Sequence, residues 1–275
     1  MPTPAAIQIR PLKSIDELKA VEDLQLEVWQ CSEREVLPSL ALIPLLDSGG
    51  VVLGAFDQQE MIGFVVGFPG VEDGLPIIHS DMLAVKAAYR STGLGFRLKL
   101  AQRDAAIAKG VPRITWTFDP LQSANAHLNF AKLGVTASHY KIDYYGETSS
   151  VLHRTGTDRL WVTWDLQSER VNARVTKREP QDASDFAKVP ALLLNRGGEP
   201  VWGTPDFENA SSFRIEIPRD INTIIAADES LALRWREATR RAFTSALAAN
   251  FLVADFFKNV SEIGEAGSYL LTRSN

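Results

Sequence analysis

The sequence predicts an α/β (α+β) fold of mixed strands and helices, with a smaller α/β extension at its C-terminal end. Three observations carry this. The apolar run IIHSDMLAV (77–85) leads through a glycine-bearing loop into LGFRLKLAQRDAAIAKG, where Leu94, Leu98, Ala101, Ala105 and Ala108 recur at helical spacing. The runs VVLGAF and MIGFVVGFPG flank Asp57-Gln58-Gln59-Glu60 and read as an antiparallel hairpin. Beyond residue 190, FRIEIP, LALRWREATRRAFTSALAANF, FLVADFFKN and GSYLLTR read as strand, helix, strand, strand.

The remaining elements follow in order. IQIR (7–10) is a first strand, and Ser14 with Glu17 forms a capping box that starts a helix carrying Ile15, Leu18, Val21 and Val28 on its apolar side. A polar break from Trp29 to Pro38 precedes a second short helix over about 38–46, and Val71 to Pro76 reads as a loop. The helix after the glycine loop closes at Gly110, with Pro112 just beyond. ITWTFD is a strand, Ser123 to Leu133 a helix, and VTASHYKIDYYG and LWVTWDL a closing hairpin joined by a polar loop from Gly146 to Asp158. Residues 167–190 are polar without periodicity, which predicts a linker and a division into 1–166 and 167–275. The tail's strand order echoes residues 113–166, as a degenerate half-domain repeat would.

Composition narrows the function. The chain has 275 residues, is 45% hydrophobic and 23% charged, and carries a net charge of −5. An acidic balance argues against nucleic acid as the partner, where a basic face is expected, and gives no attraction to anionic membranes. The single cysteine, Cys31, excludes an intramolecular disulfide and a cysteine-based metal cluster, and the four histidines lack metal-ligand spacing. No metal is expected. The N-terminus lacks the layout of a signal peptide, and no apolar run approaches the roughly 18 residues that span a bilayer, so a cytoplasmic protein is expected.

The most informative stretch is Arg90-Ser91-Thr92-Gly93-Leu94-Gly95, between strand and helix. Glycines let a ligand approach the backbone, and the helix's first N–H groups are unpaired donors for an anion such as a pyrophosphate. By itself the pattern fits a sharp turn equally well. The third glycine of the dinucleotide fingerprint is missing, as is the Gly-Lys-Ser/Thr of a P-loop.

Arg-x-x-Gly-x-Gly after a strand ending Leu83-Ala84-Val85 resembles the acyl-CoA-binding motif of the GNAT acyltransferase superfamily. Downstream, ITWTFDP followed by SANAHLNFAKLG resembles the next motif of that family, and the wording WTFDPL…NAHLNF is similar to a larger group of members with a C-terminal extension. The resemblance spans roughly residues 7–166. It implies a mostly antiparallel mixed sheet flanked by helices, and transfer of an acyl group from acetyl-CoA, or from succinyl-CoA, to a small-molecule amine such as an amino acid.

For the co-substrate, the resemblance implies contacts from Leu83, Val85, Arg90, Ser91, Thr92, Gly93, Leu94, Gly95, Asn125 and Phe130. It implies a β-bulge at the end of the 77–85 strand that frees the Val85 N–H to donate to the thioester oxygen. His79 and Asp81 lie where members often carry the general base, and a two-residue spacing on a strand puts them on one face. Either is a candidate base, or Asp81 orients His79. Phe130 stands where a tyrosine often protonates the leaving thiolate, so the thiolate leaves unassisted, or Tyr140, Tyr144 or Tyr145 substitutes, or the protein binds acyl-CoA without turning it over. Asn125 and Asn129 are spaced to share a helix face. The acceptor side implied is Glu33, Arg34, Glu35 and the aromatics of 139–146. Arg236 and Arg240, one helical turn apart, fit a carboxylate clamp or, more commonly, a solvated face. The tail covers a sheet edge or pairs with a second copy as a homodimer.

Overall fold

The computed structural model describes residues 7–146, 148, 150, 153–176, 186–258 and 266–274. They group into two compact units, one of residues 1–116 with 148–153, the other of 117–147 with 154–275.

In the first unit, β1 (Gln8–Pro11), α1 (Ile15–Trp29), α2 (Ser39–Asp47), β2 (Val51–Asp57), β3 (Glu60–Glu72), β4 (Leu75–Val85), α3 (Leu94–Ala108) and the start of β5 (Arg113–Phe118) follow the expected order. The strands lie as β1-β2-β3-β4-β5, antiparallel except for the parallel pair β4–β5. Ser14 caps α1 with the expected box, its Oγ accepting from the Glu17 N–H at 3.2 Å. The expected loop over 71–76 is a tight turn instead. Asp73 and Gly74 both take positive φ, the geometry that matches strand twist in a two-residue hairpin, so β3 and β4 run right up to it.

Two helical layers follow from the strand alternation. Phe64 and Val66 point to α1 and α2, where Leu18, Val21, Leu24, Leu42 and Leu45 close the core. Their neighbours Gly63 and Gly67 face α3 instead: a Cβ on Gly67 would stand 2.8 Å from the Gln102 amide and 2.5 Å from Ile78, so only glycine lets this helix lie so close.

The second unit contains α4 (Ser123–Ala126), which widens into a π-helix over His127–Leu133, then β6 (Thr136–Lys141), β7 (Arg159–Asp165), α5 (Glu169–Val175), β8 (Ala191–Arg196), β9 (Glu199–Trp202), β10 (Ser212–Pro218), α6 (Ile221–Ala227), α7 (Glu229–Ala248), β11 (Phe251–Lys258) and β12 (Ala266–Arg273). Its strands lie as β7-β6-β11-β12-β10-β8-β9. The expected linker holds a capped helix, α5, with the Ser168 side chain accepting from Val171, while 177–185 lie outside the described residues. The predicted echo is visible: α4–β6–β7 and α7–β11–β12 are each a helix followed by an antiparallel pair, and β6 meets β11 at Ala137 and Val253.

Charge pairs tie the tail helix into this unit. Arg236 makes two bonds of 2.8 Å to the Asp119 carboxylate and donates to the Thr155 carbonyl at 3.2 Å. Arg240 holds the fully buried Asp158 at 2.8 Å through both Nε and a terminal nitrogen, and reaches Asp143 at 3.1 Å. The carboxylates these arginines clamp are the protein's own, so neither the expected substrate clamp nor the solvated face is formed.

Candidate active site

The first unit brings most of the candidate residues together along β4 and the loop after it. β4 carries a bulge, as expected, but earlier than the strand end. Met82 pairs with Val66 and His79 with Phe68, so Ser80 and Asp81 together stand opposite Gly67. One extra residue resets which backbone groups face which neighbour.

The consequence follows from ladder parity. Lys86 N–H donates to the Ile62 carbonyl at 2.9 Å, which makes 86 and 62 a hydrogen-bonded pair. In an antiparallel ladder such pairs alternate with non-bonded ones. Ala84 therefore directs its N–H and C=O at β3, while Leu83 and Val85 direct theirs away from it. The recorded register of β4 with β5 covers only Ile77–His79 against Arg113–Thr115, so this stretch lies past that ladder. The Val85 carbonyl accepts from Arg90 Nε at 3.2 Å, as an outward-turned group should.

The loop is pinned from outside. Lys86 Nζ lies 2.7 Å from Glu60 and 3.3 Å from Glu27, and the Tyr89 hydroxyl donates to Asp57 at 2.7 Å, so the tip of the β2–β3 hairpin holds its base. Thr92 Oγ1 donates to the Tyr89 carbonyl at 2.7 Å. Ser91 and Gly93 adopt φ of +63° and +86°, and left-handed residues alternating along a turn gather successive N–H groups into a concave nest. Gly93 caps α3 without a side-chain acceptor, and the first bond of the helix runs from Arg97 N to the Gly93 carbonyl. The N–H groups of Leu94, Gly95 and Phe96 therefore lack helical partners. A Cβ on Gly93 would meet nothing within 4 Å, so the space at that position is open.

His79 is half-buried, with Nδ1 3.0 Å from Thr115 Oγ1. Desolvation first, and the charge of Lys99 second, lower its pKa to about 4, so the ring is neutral near pH 7. Asp81 keeps solvent contact, yet enough protein surrounds it to desolvate its carboxyl and raise its pKa. The bulge between them breaks the strict alternation. His79 shares the Phe68 side of the sheet, and the two-residue spacing no longer puts Asp81 on the same face.

The second unit holds the other expected residues. Asn125 is exposed and Asn129 buried, because the helix widens to π geometry at His127 and a four-residue spacing no longer returns to one face. Phe130 is fully buried, edge-on to Tyr269 at 5.7 Å and tilted against Phe118 at 6.2 Å. Its ring is core, which corrects the expectation of a co-substrate contact: no part of it reaches the surface. Tyr140 donates to Asp158 at 2.8 Å and stacks on Phe243, and burial raises its pKa, so it is a poor proton donor to a ligand. Tyr144 and Tyr145 are exposed. On the expected acceptor side, Glu33, Arg34 and Glu35 form an exposed helical turn in the first unit, whereas 139–146 belong to the second.

Two residues escaped the sequence reading. Lys99 and Ser80 lie buried under the bulge. The signal was present, since Lys99 and Gln102 sit in the same buried stripe of α3 as Leu94, Leu98 and Ala106.

Comparison with known proteins gives a family match over part of the chain. Residues 18–135 match the model of the Acetyltransferase (GNAT) family. Among solved structures, the ribosomal-protein-S18-alanine N-acetyltransferase from Escherichia coli is 16% identical with a TM-score of 0.47, over 59% of this chain and 95% of that one. Aminoglycoside 6'-acetyltransferase type Ii is 16% identical with a TM-score of 0.48, over 59% and 99%. A GNAT family acetyltransferase from Elizabethkingia anophelis, with acetyl-CoA bound, is 18% identical with a TM-score of 0.42, over 58% and 97%. Each likeness is distant. No curated protein matches the chain at a significant level. Among the described residues, no cluster of His, Cys, Asp or Glu is placed to hold a metal ion, and no helix is long and apolar enough to cross a membrane.

Proposed function

We propose that this protein transfers the acyl group of acetyl-CoA to the amine of a small molecule, by direct attack without a covalent enzyme intermediate. The observation that carries this is the pairing, within one unit, of an anion-receiving nest at 91–96 with outward-turned amides at Leu83 and Val85. The nest suits the pyrophosphate of CoA, with Arg90 adding charge. The amides of Leu83 and Val85 suit the thioester carbonyl, whose oxygen gains negative charge as the amine adds. The C–N bond forms, the C–S bond breaks, and the amine's proton passes to a base.

His79 is neutral and can accept that proton directly or through water, though its lowered pKa makes it a weak base. Asp81, with its raised pKa, is the better matched of the two carriers. With Phe130 sealed in the core, CoA leaves as the thiolate, which a thiol's acidity permits. Residues 1–166 would carry this chemistry and 167–275 would buttress it.

The test is thermal shift with acetyl-CoA, succinyl-CoA and CoA on the wild type and on Gly93→Trp. A ligand that binds only the folded state raises the melting temperature by mass action. The wild type should shift and the folded variant should not, because a bulky side chain at a left-handed position would disturb the loop whose N–H groups receive the ligand. No shift at millimolar ligand would reduce the motif to a turn.

A further inference from the structure

Lys99 is a buried ionisable group that this chemistry leaves unused. Its side chain is 4% exposed. Nζ lies 2.7 Å from Ser80 Oγ, 3.5 Å from Gln102 Oε1 and 3.7 Å from the centre of the Trp116 ring. Among the described residues no carboxylate pairs with it, and burial holds its amine well below the usual lysine range. A lysine so placed costs stability that a methionine would not. Such local conflicts concentrate where function requires them.

Its contact is with the bulge itself. Ser80 is one of the two residues standing opposite Gly67, and Gly67 is the glycine that admits Gln102. A bulge is free to migrate along a strand unless something holds it, and it reverses the facing of each residue it passes: Leu83 and Val85 turn away from β3 only while the extra residue stays ahead of them at Ser80–Asp81.

We propose that Lys99 is a positioning residue: its bond to Ser80 fixes the β4 bulge and so keeps the Leu83 and Val85 amides turned outward for the acyl carbonyl. This rests on the acyl-CoA reading above. It separates two parts of one ligand. The nest at 91–96 receives the pyrophosphate, which CoA and acetyl-CoA share, while the β4 amides meet the acyl oxygen, which CoA lacks. Lys99 therefore governs the preference for acetyl-CoA over CoA, and not CoA affinity.

The experiment is calorimetric titration of the full chain with acetyl-CoA and with CoA, for wild type, Lys99→Met, Ser80→Ala and the double variant. The wild type should prefer acetyl-CoA by roughly three- to tenfold, the scale of one net hydrogen bond. Both single variants should bring that ratio near one, with CoA affinity changed by less than about twofold. The double variant should do no more than the singles. Ser80→Ala removes one hydroxyl and answers the question if Lys99→Met fails to fold. An intact preference in a folded variant overturns the proposal, as does a wild type that binds both ligands equally, which leaves the CoA site standing. A wild type that binds neither overturns the acyl-CoA reading as well.

Discussion

Replacing Arg236 by methionine tests the account of the second unit most sharply. Arg236 is 3% exposed and the Asp119 side chain 13% exposed, joined by two bonds of 2.8 Å. Burial works against the guanidinium charge, and Asp119 beside it more than restores it, leaving its pKa above the ordinary arginine value. Methionine matches the stem but leaves Asp119 charged and enclosed, with Leu121 N–H at 3.0 Å as its remaining recorded donor. Removing one partner of a buried ion pair costs about 3–5 kcal/mol. At roughly 2–4 °C per kcal/mol, the melting temperature should fall by on the order of 10 °C. Urea unfolding followed by tryptophan fluorescence reports on this unit through Trp164 and Trp235, both fully buried. The double variant Arg236→Met/Asp119→Asn should recover most of the loss, because no charge is stranded. A single-variant loss below about 1 kcal/mol, or a double variant less stable than the single, would refute the buried-pair reasoning.

Other outcomes follow from the same geometry. His79→Ala should lower turnover roughly 10²-fold if the ring carries the proton, measured by release of free CoA thiol with an accepted amine, and near-wild-type rates would end that role. Because the folded pKa of His79 is lowered to about 4 from 6.5, its contribution is intact above pH 6.5 and is lost as pH falls toward 4, by at most about 3 kcal/mol. His79→Gln should therefore flatten the drop in melting temperature between pH 7 and 4.5. Phe130→Tyr should destabilise by roughly 1–3 kcal/mol without raising turnover, since its hydroxyl would enter a sealed aromatic core. A chain ending at Asp165 would lose the arginines that hold Asp119 and Asp158 and the strand that borders β6, and its urea midpoint should fall well below that of the whole chain.

Much of this protein was legible from local pattern. Helical spacing placed α3 and α7, capping chemistry placed the start of α1, and alternation with turn residues placed the β2–β3 hairpin, because each signal is written within a dozen residues. The glycine loop was legible for the same reason: positive φ at Gly93 and a helix start are local properties. The tertiary structure decided what long-range register and burial control. The bulge falls at Ser80–Asp81 because β3 sets the pairing from across the turn at 73–74, and that separated His79 from Asp81 and turned the Leu83 and Val85 amides outward. Phe130 became core because Tyr269 closes over it, and Arg236 became a buried clamp because Asp119, far off in the chain, folds against α7. Periodicity reports that a residue lies on a helix face, but only the folded chain supplies what that face meets, and the sign of a buried charge's contribution depends on that partner.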